Sequence, residues 1–156
     1  TFGEAVSLSA DGTIVAIGAP YNDGVNGTDS GHVRVYEYIN NAWTKLGADI
    51  DGEAEGDQSG SSVSLSADGT IVAIGAPSNG PAGAGHVRVY QYINNAWAQI
   101  GDDLDGKTNF DYSSDGLSLI SDGTPDGTIV AIGAGSYSQN FLDGKPGHVR
   151  VYNYLS

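Results

Sequence analysis

The amino-acid sequence predicts an all-β protein, and three observations support this. Gly contributes 24 of the 156 residues while Val, Ile, Tyr and Thr are common, as is typical of short strands joined by tight turns. Apolar residues recur mostly at every second position, which is the period of a strand. Three sequence strings also repeat along the chain. We therefore expect no helix and a fold made of repeated strand units.

The repeats fix the domain organisation. GTIVAIGA begins at Gly12, Gly69 and Gly127, and GHVRVY begins at Gly31, Gly85 and Gly147. YINNAW occurs twice, at 38–43 and 92–97, so we expect the last unit to be truncated. The prediction is one repeat domain over residues 1–156, with units at about 1–56, 57–110 and 111–156.

Each unit contains signals for four antiparallel strands. Asp11-Gly12 separates the first two apolar runs and predicts a hairpin with a type I′ turn. The third run alternates, with Val33 and Val35 on one face, and Asn40-Asn41 then turns the chain into a fourth strand at 42–46. Four strands in about 50 to 60 residues is the size of a β-propeller blade. We therefore predict β-propeller-type blades.

Such blades would be apolar on both faces, so each can bury its residues only against another blade. Open edges and uncovered faces at the two ends of the array would template further pairing. We therefore expect a homo-oligomer or polymer. Two copies could close a ring, whereas a head-to-tail contact that does not close would produce a filament.

Composition excludes several classes of partner and site. The chain has 6 Lys plus Arg against 19 Asp plus Glu, a net charge of −13, so nucleic acid would be repelled. Without cysteine there is neither a disulfide framework nor a thiolate metal site. The apolar runs are too short for membrane insertion. The lack of methionine leads us to expect a processed product or an excerpt.

The chain resembles the FG-GAP repeat family, the blades of integrin-α-like propellers. Phe2-Gly3 opens the first unit and Gly18-Ala19-Pro20 ends its second strand, which match the two name-giving motifs. The later units depart from these motifs, with Gly75-Ala76-Pro77 retained but Ser59-Gly60, Ser113-Ser114 and Gly133-Ala134-Gly135 also present. The resemblance implies propeller blades in an extracellular setting.

Integrin-type repeats carry an Asp-rich calcium loop just before the second strand. In this chain only Asp11 and Gly12 match that loop, which leaves too few oxygen ligands for calcium. We therefore expect a variant that lacks the family calcium site and has no cofactor. The acidic connectors are the alternative calcium ligands, and we favour reading them as solvated linkers; the candidates are Asp49, Asp51, Glu53, Asp103 and Asp105.

Three other features are candidates for function. Asn26-Gly27-Thr28 satisfies the N-glycosylation rule, so Asn26 is a candidate glycan site. The His and Arg residues of GHVRVY recur in every unit, which favours a repeated packing role over a catalytic triad. Aromatic side chains could stack on sugars, but packing is the more usual use. We expect inter-blade packing by Arg34, Arg88, Arg150, Tyr36, Tyr90, Tyr152, Trp43 and Trp97.

These patterns predict a non-catalytic structural or adhesion module, extracellular or at the cell surface, that self-associates, including as a filament. Glycans or other extracellular proteins are candidate partners. A carbohydrate-binding, lectin-like propeller is the alternative function. An enzyme is disfavoured because the sequence contains no evident nucleophile and base pair or metal cluster.

Overall fold

A computed structural model of the chain describes residues 3–80, 83–107, 113–135 and 147–154. Within these residues the protein is all-β, without helix, and its strands form three antiparallel sheets. The sheets are consistent with propeller-like blades, as the sequence predicts. We call them blades 1, 2 and 3 in chain order.

Blade 1 has four strands in sequential order, and a short fifth strand pairs with the third. The strands are β1 (Ala5–Leu8), β2 (Ile14–Ala19), β3 (His32–Ile39), β4 (Ala42–Lys45) and β5 (Ile50–Asp51). The strands of blade 2 are β6 (Ser62–Leu65), β7 (Ile71–Ala76), β8 (His86–Ile93) and β9 (Ala96–Asp105). A register shift lets the long β9 pair with β8 along the stretch that corresponds to β4 and β5 together in blade 1.

Blade 3 has three strands among the described residues, in the order β10, β11, β12. Their bounds are Ser113–Ile120, Thr128–Ala134 and His148–Tyr154. The recurring GTIVAIGA and GHVRVY strings form the second and third strands of every blade, and they pair in the same register each time: Ala16 lies opposite Val35, and Ala73 lies opposite Val89. The repeats of the sequence are thus repeats of the sheet.

The turns follow residue chemistry, with one difference from the sequence prediction. Asn40 and Asn41 both have positive φ (51° and 63°), which is the type I′ geometry, and Asn94 and Asn95 repeat it. The Asp11-Gly12 turn is not type I′, because only Gly12 has positive φ. Instead the Asp11 carboxylate accepts hydrogen bonds from Ser9 and Thr13, which stabilises a longer loop.

The core lies between blades. We define the forward face of a blade as the face toward the next blade and the backward face as the face toward the preceding one. One core joins the forward face of blade 1 to the backward face of blade 2, and comprises Ala16, Val33, Val35, Ile50, Val63, Leu65, Val72 and Ile74. The second joins blades 2 and 3 in the same way, and comprises Ile71, Ala73, Val87, Val89, Leu119, Val130 and Ile132.

None of the described strands covers either of the two outer faces. On the backward face of blade 1, Val6 and Leu8 are 65% and 59% exposed, whereas the equivalent Val63 and Leu65 of blade 2 are 9% and 6% exposed. On the forward face of blade 3, Val149 and Val151 are 71% and 67% exposed, whereas Val87 and Val89 are fully buried. The same sequence positions are therefore buried or exposed according to whether a neighbouring blade is present.

Candidate functional site

In the described part of the chain, the candidate functional site is the contact between successive blades. This contact depends on one glycine in each blade that is followed by another. A Cβ on Gly18 of β2 would collide with the backbone carbonyl of Gly60, at the start of blade 2. Gly75, the equivalent in blade 2, faces blade 3 in the same way, since a Cβ there would come within 2.5 Å of the Ser114 Cβ. These glycines are needed because the next blade approaches the sheet too closely for any side chain.

Serine hydroxyls bond one blade to the next. The Ser7 Oγ of β1 accepts a hydrogen bond from the Leu65 backbone N–H at 2.9 Å. The equivalent Ser64 accepts from the Leu119 N–H at 3.0 Å. The hydroxyl satisfies a strand N–H that has no partner within its own sheet, so each bond both fixes register and removes a polar cost of burial.

Arg88 ties blade 2 to blade 1. Its Nε and Nη2 bind the two carboxylate oxygens of Asp103 in its own blade at 3.0 Å each, and Nη2 also pairs with Glu53 from the connector of blade 1. Burial opposes the charge of Arg88, but the hydrogen bonds to Asp103 and Glu53 outweigh it and raise its pKa. The same bond to Arg88 is the main reason that the pKa of Asp103 is lowered.

Arg34 holds the same position in blade 1. It binds Asp49 of its own blade through two 3.0 Å hydrogen bonds, and Lys45 pairs with the same carboxylate. The bond from Arg34 lowers the pKa of Asp49 to about 2. The side chain of Arg34 is 35% exposed against 12% for Arg88, because the backward face of blade 1 is uncovered.

Arg150 of blade 3 reaches blade 2 by another route. Its Nη1 donates to the Asp105 carbonyl at 2.7 Å, and its guanidinium lies 5.6 Å from the centre of the Tyr152 ring. The position equivalent to Glu53 holds Lys107, so the Glu53 ion pair is not repeated there. Tyr152 packs against the second core, as Tyr90 packs against the first.

The YINNAW aromatic pair occurs in two environments. Tyr92 and Trp97 of blade 2 have ring centroids 5.1 Å apart, and the Trp97 Nε1 donates to the Leu46 carbonyl of blade 1 at 2.8 Å. Tyr38 and Trp43 of blade 1 form the same pair at 5.2 Å, but both are about half exposed. The half-buried Tyr36 lies on the same face of blade 1 as Arg34.

The acidic candidates for metal binding fall into two groups. Glu53 and Asp103 lie near His86, and Asp49 and Asp51 lie near His32, in each case with ligand atoms within 4.8 Å of one another. The carboxylates of Glu53, Asp103 and Asp49 are already bound by Arg side chains, whose positive charge opposes a cation. Asp105, at the end of β9, is exposed.

Asn26 is exposed in the loop between β2 and β3, where a glycan could be accommodated. Its Nδ2, the atom to which a glycan would be attached, donates to the Gly52 carbonyl at 2.7 Å. One of the two Nδ2 hydrogens is thus used in a hydrogen bond, and the other is available for replacement by a glycan.

Sequence reasoning missed the inter-blade serines and the connector turn. Ser7, Ser64 and Ser118 recur at one position of the repeat, and that recurrence is the signal that could have identified them. Asp57 is buried and accepts from the Glu53 and Ala54 backbone N–H groups, which folds the connector so that Glu53 faces Arg88. No periodic pattern in the sequence marks this turn.

Comparison with known proteins supports the resemblance seen in the sequence. A search of curated proteins gives no match. Within the described residues no helix has both the length and the apolarity needed to cross a membrane. Residues 1–36, which run from the start of the chain through β1, β2 and most of β3, match the FG-GAP repeat model. Phe2 of the name-giving motif lies outside the described residues. Blade 1 therefore matches the FG-GAP repeat over residues 1–36, and its GTIVAIGA and GHVRVY strings recur in blades 2 and 3.

Proposed function

We propose that this chain is a non-catalytic structural or adhesion module, extracellular or at the cell surface, that self-associates through its outer blades. The observation that carries the proposal is the exposure of Val6, Leu8, Val149 and Val151, at positions that are buried or partly buried wherever two blades meet. Uncovered apolar sheet faces of this kind mark interaction sites. The FG-GAP repeat supports a binding rather than a catalytic role, since such repeats are generally structural modules of extracellular proteins.

Sedimentation velocity over a range of protein concentrations tests self-association. A closed ring predicts a mass that reaches a plateau at a small whole number of copies, whereas an open filament predicts a mass that keeps rising. Electron microscopy of the same samples distinguishes the two forms directly. A monomer that persists at every concentration would contradict the proposal.

A carbohydrate-binding function is the second candidate, and the half-exposed Tyr38 and Trp43 pair is the observation that favours it. The identical pair in blade 2 packs on blade 1, which favours packing as the general use of the motif. A glycan array with the native chain and Trp43→Ala tests this: binding that the variant loses supports a sugar site, and lack of binding excludes it.

Asn26 glycosylation is proposed for a secreted eukaryotic source, and intact-peptide mass spectrometry of native material tests it. An unmodified Asn26 peptide would rule it out.

For metals, we propose that the connector carboxylates act as ion-pair partners. Calcium is the alternative for these residues, and calorimetric titration with calcium distinguishes the two, since heat of binding would favour the metal.

A further inference from the structure

We propose that the forward face of blade 3 binds the backward face of blade 1 in a second copy of this chain, in the register that the internal blades already use. This inference rests on the proposed function and specifies its contact. The internal interfaces supply the template, because the glycine, serine and apolar contacts between blades 1 and 2 recur between blades 2 and 3. Each of the outer faces presents one half of that template.

The first half is an open groove beside Gly133. Gly133 is the third member of the series Gly18, Gly75, Gly133, whose first two members are covered by the next blade. The three atoms nearest to a Cβ on Gly133 all belong to Gly116 of its own blade, and the closest is 3.5 Å away. The groove next to it is open to solvent, has a volume of about 500 Å³ and is bordered by Gly116, Gly133 and Val149. It is the place that the start of a following blade would fill.

The second half is Gly3, at the start of blade 1. Gly3 donates its backbone N–H to the Gly18 carbonyl at 3.0 Å, just as Gly60 donates to the Gly75 carbonyl at 2.9 Å. Gly60 is the residue that covers Gly18, whereas a Cβ on Gly3 would meet no atom of the described chain within 4 Å. Gly3 of a second copy therefore has the position and the shape to cover Gly133.

The polar contact of the internal interfaces is also available. Ser7 and Ser64 accept hydrogen bonds from the Leu65 and Leu119 N–H groups of the following blade. The third serine, Ser118, is exposed on blade 3, and the equivalent leucine, Leu8, is exposed on blade 1. In the proposed register the Leu8 N–H of the second copy donates to the Ser118 Oγ.

Apolar burial supplies the driving force for the contact. Val149 and Val151 of one copy would pack against Val6 and Leu8 of the next, as Val33 and Val35 pack with Val63 and Leu65 inside the chain. Removing such side chains from water favours association in proportion to the apolar area that is buried. The contact is heterologous, since the two faces differ, and its repetition links copies head to tail.

Gly133→Ala separates this contact from the fold. Its Cβ fits against Gly116 at an ordinary distance, so the urea midpoint is expected to stay that of the native chain. In a second copy the same Cβ would strike Gly3, as a Cβ on Gly18 would strike Gly60. We expect the dissociation constant to rise by at least about tenfold in sedimentation experiments. Undiminished association of a folded variant would overturn the proposed register.

Chemical crosslinking provides a second measurement, and the lack of native cysteine leaves no background. Ser118→Cys and Leu8→Cys are made in separate chains, mixed, and treated with a short bismaleimide. We expect a covalent dimer only in the mixture. Ser64→Cys with Leu119→Cys in a single chain is the positive control, because those positions already meet across blades 2 and 3.

The two measurements separate this inference from the proposed function. If the native chain stays monomeric at every concentration, self-association itself is wrong. If it associates while Gly133→Ala associates equally and the mixed cysteine variants give no dimer, self-association stands and the Gly3 to Gly133 register is wrong. Loss of association in Gly133→Ala together with the mixed crosslink establishes the register.

Discussion

Arg34 and Arg88 are the same residue of the repeat, and their difference illustrates what a neighbouring blade contributes. Both bind an Asp of their own blade with two hydrogen bonds of 3.0 Å. Arg88 also pairs with a connector carboxylate, that of Glu53, and it is the less exposed of the two. Removing one member of a buried ion pair leaves the other charge without compensation. The loss of stability on removing the Arg therefore depends on how deeply its ion pair is buried.

Arg88→Gln is expected to destabilise the protein by about 2 kcal/mol, because Glu53 and Asp103 would lose their common partner in a partly buried site. Arg34→Gln is the matched control and is expected to cost less than about 1 kcal/mol, since its ion pair is more exposed. Urea unfolding followed by tryptophan fluorescence measures both. Equal losses of stability for the two variants would show that the contact of Arg88 with the neighbouring blade adds nothing to the stability of the protein.

His86 predicts a dependence of stability on pH. Burial, followed by the nearby Arg88 charge, lowers the pKa of His86 from 6.5, while Asp103, Glu53 and Asp57 act in the opposite direction. The unfolded state then binds the proton more tightly than the folded state. Stability is therefore fully present above pH 6.5 and is lost as pH falls from there through the folded-state pKa.

The measurement is the urea midpoint between pH 8 and pH 5, for the native chain and for His86→Gln. As the pH falls below about 6.5, we expect the urea midpoint of the native chain to decrease. The urea midpoint of the variant is expected to decrease less, because one titrating group is removed. His32, whose pKa is also lowered by burial, accounts for part of the remaining slope. Identical slopes in the two proteins would mean that His86 does not titrate with unfolding.

The sequence predicts some of the roles of the residues between the blades but not others. The recurrence of Arg in GHVRVY was sufficient to suggest a repeated packing task. The sequence presented Glu53 only as part of an acidic run, because its orientation depends on Asp57 folding back onto the Glu53 and Ala54 N–H groups. Such a turn is specified by single hydrogen bonds rather than by a period, so no pattern reveals it.

At the scale of the element, β4 and β9 show that one sequence motif can begin strands of different length. Both begin with Ala-Trp after an Asn-Asn turn, yet β4 ends at Lys45 and β9 runs on to Asp105. The sequence predicted the turn, since Asn tolerates positive φ. It did not predict the longer strand, because a register shift along β8 allows the pairing to continue.

Trp97→Ala is expected to destabilise the protein by about 2–3 kcal/mol, below the usual cost for a fully buried Trp because the ring is only partly buried. The variant loses the hydrogen bond to the Leu46 carbonyl and the packing against Gly47. Trp43→Ala, at the equivalent and half-exposed position, is expected to cost less than about 1 kcal/mol. Thermal unfolding by circular dichroism compares them, and a larger loss in Trp43→Ala would contradict the assignment.

At the scale of the whole molecule, two-sided blades explain both the fold and the uncovered ends. The sequence predicted the all-β class and the need for stacking, because alternating apolar residues such as Val33 and Val35 require a second sheet. It could not show which face meets which. That pairing emerges from Gly18 meeting Gly60 and from Ser7 meeting Leu65, contacts that join residues 42 and 58 positions apart in the chain.

In the self-association that we propose, the net charge of the copies opposes the contact and the apolar faces favour it, and salt separates these two effects. Each copy carries a charge of −13, so copies repel at low ionic strength, where screening extends over about 30 Å at 0.01 M. At 1 M salt the screening length falls to about 3 Å, while the apolar contact of Val149 and Val151 is not weakened by screening. We therefore expect sedimentation to show tighter association at high salt. Gly133→Ala serves as the control and is expected to associate more weakly than the native chain at both salt concentrations, because its block is steric. Association that is strongest at low salt would instead indicate a contact between opposite charges, and the apolar faces would then not be its basis.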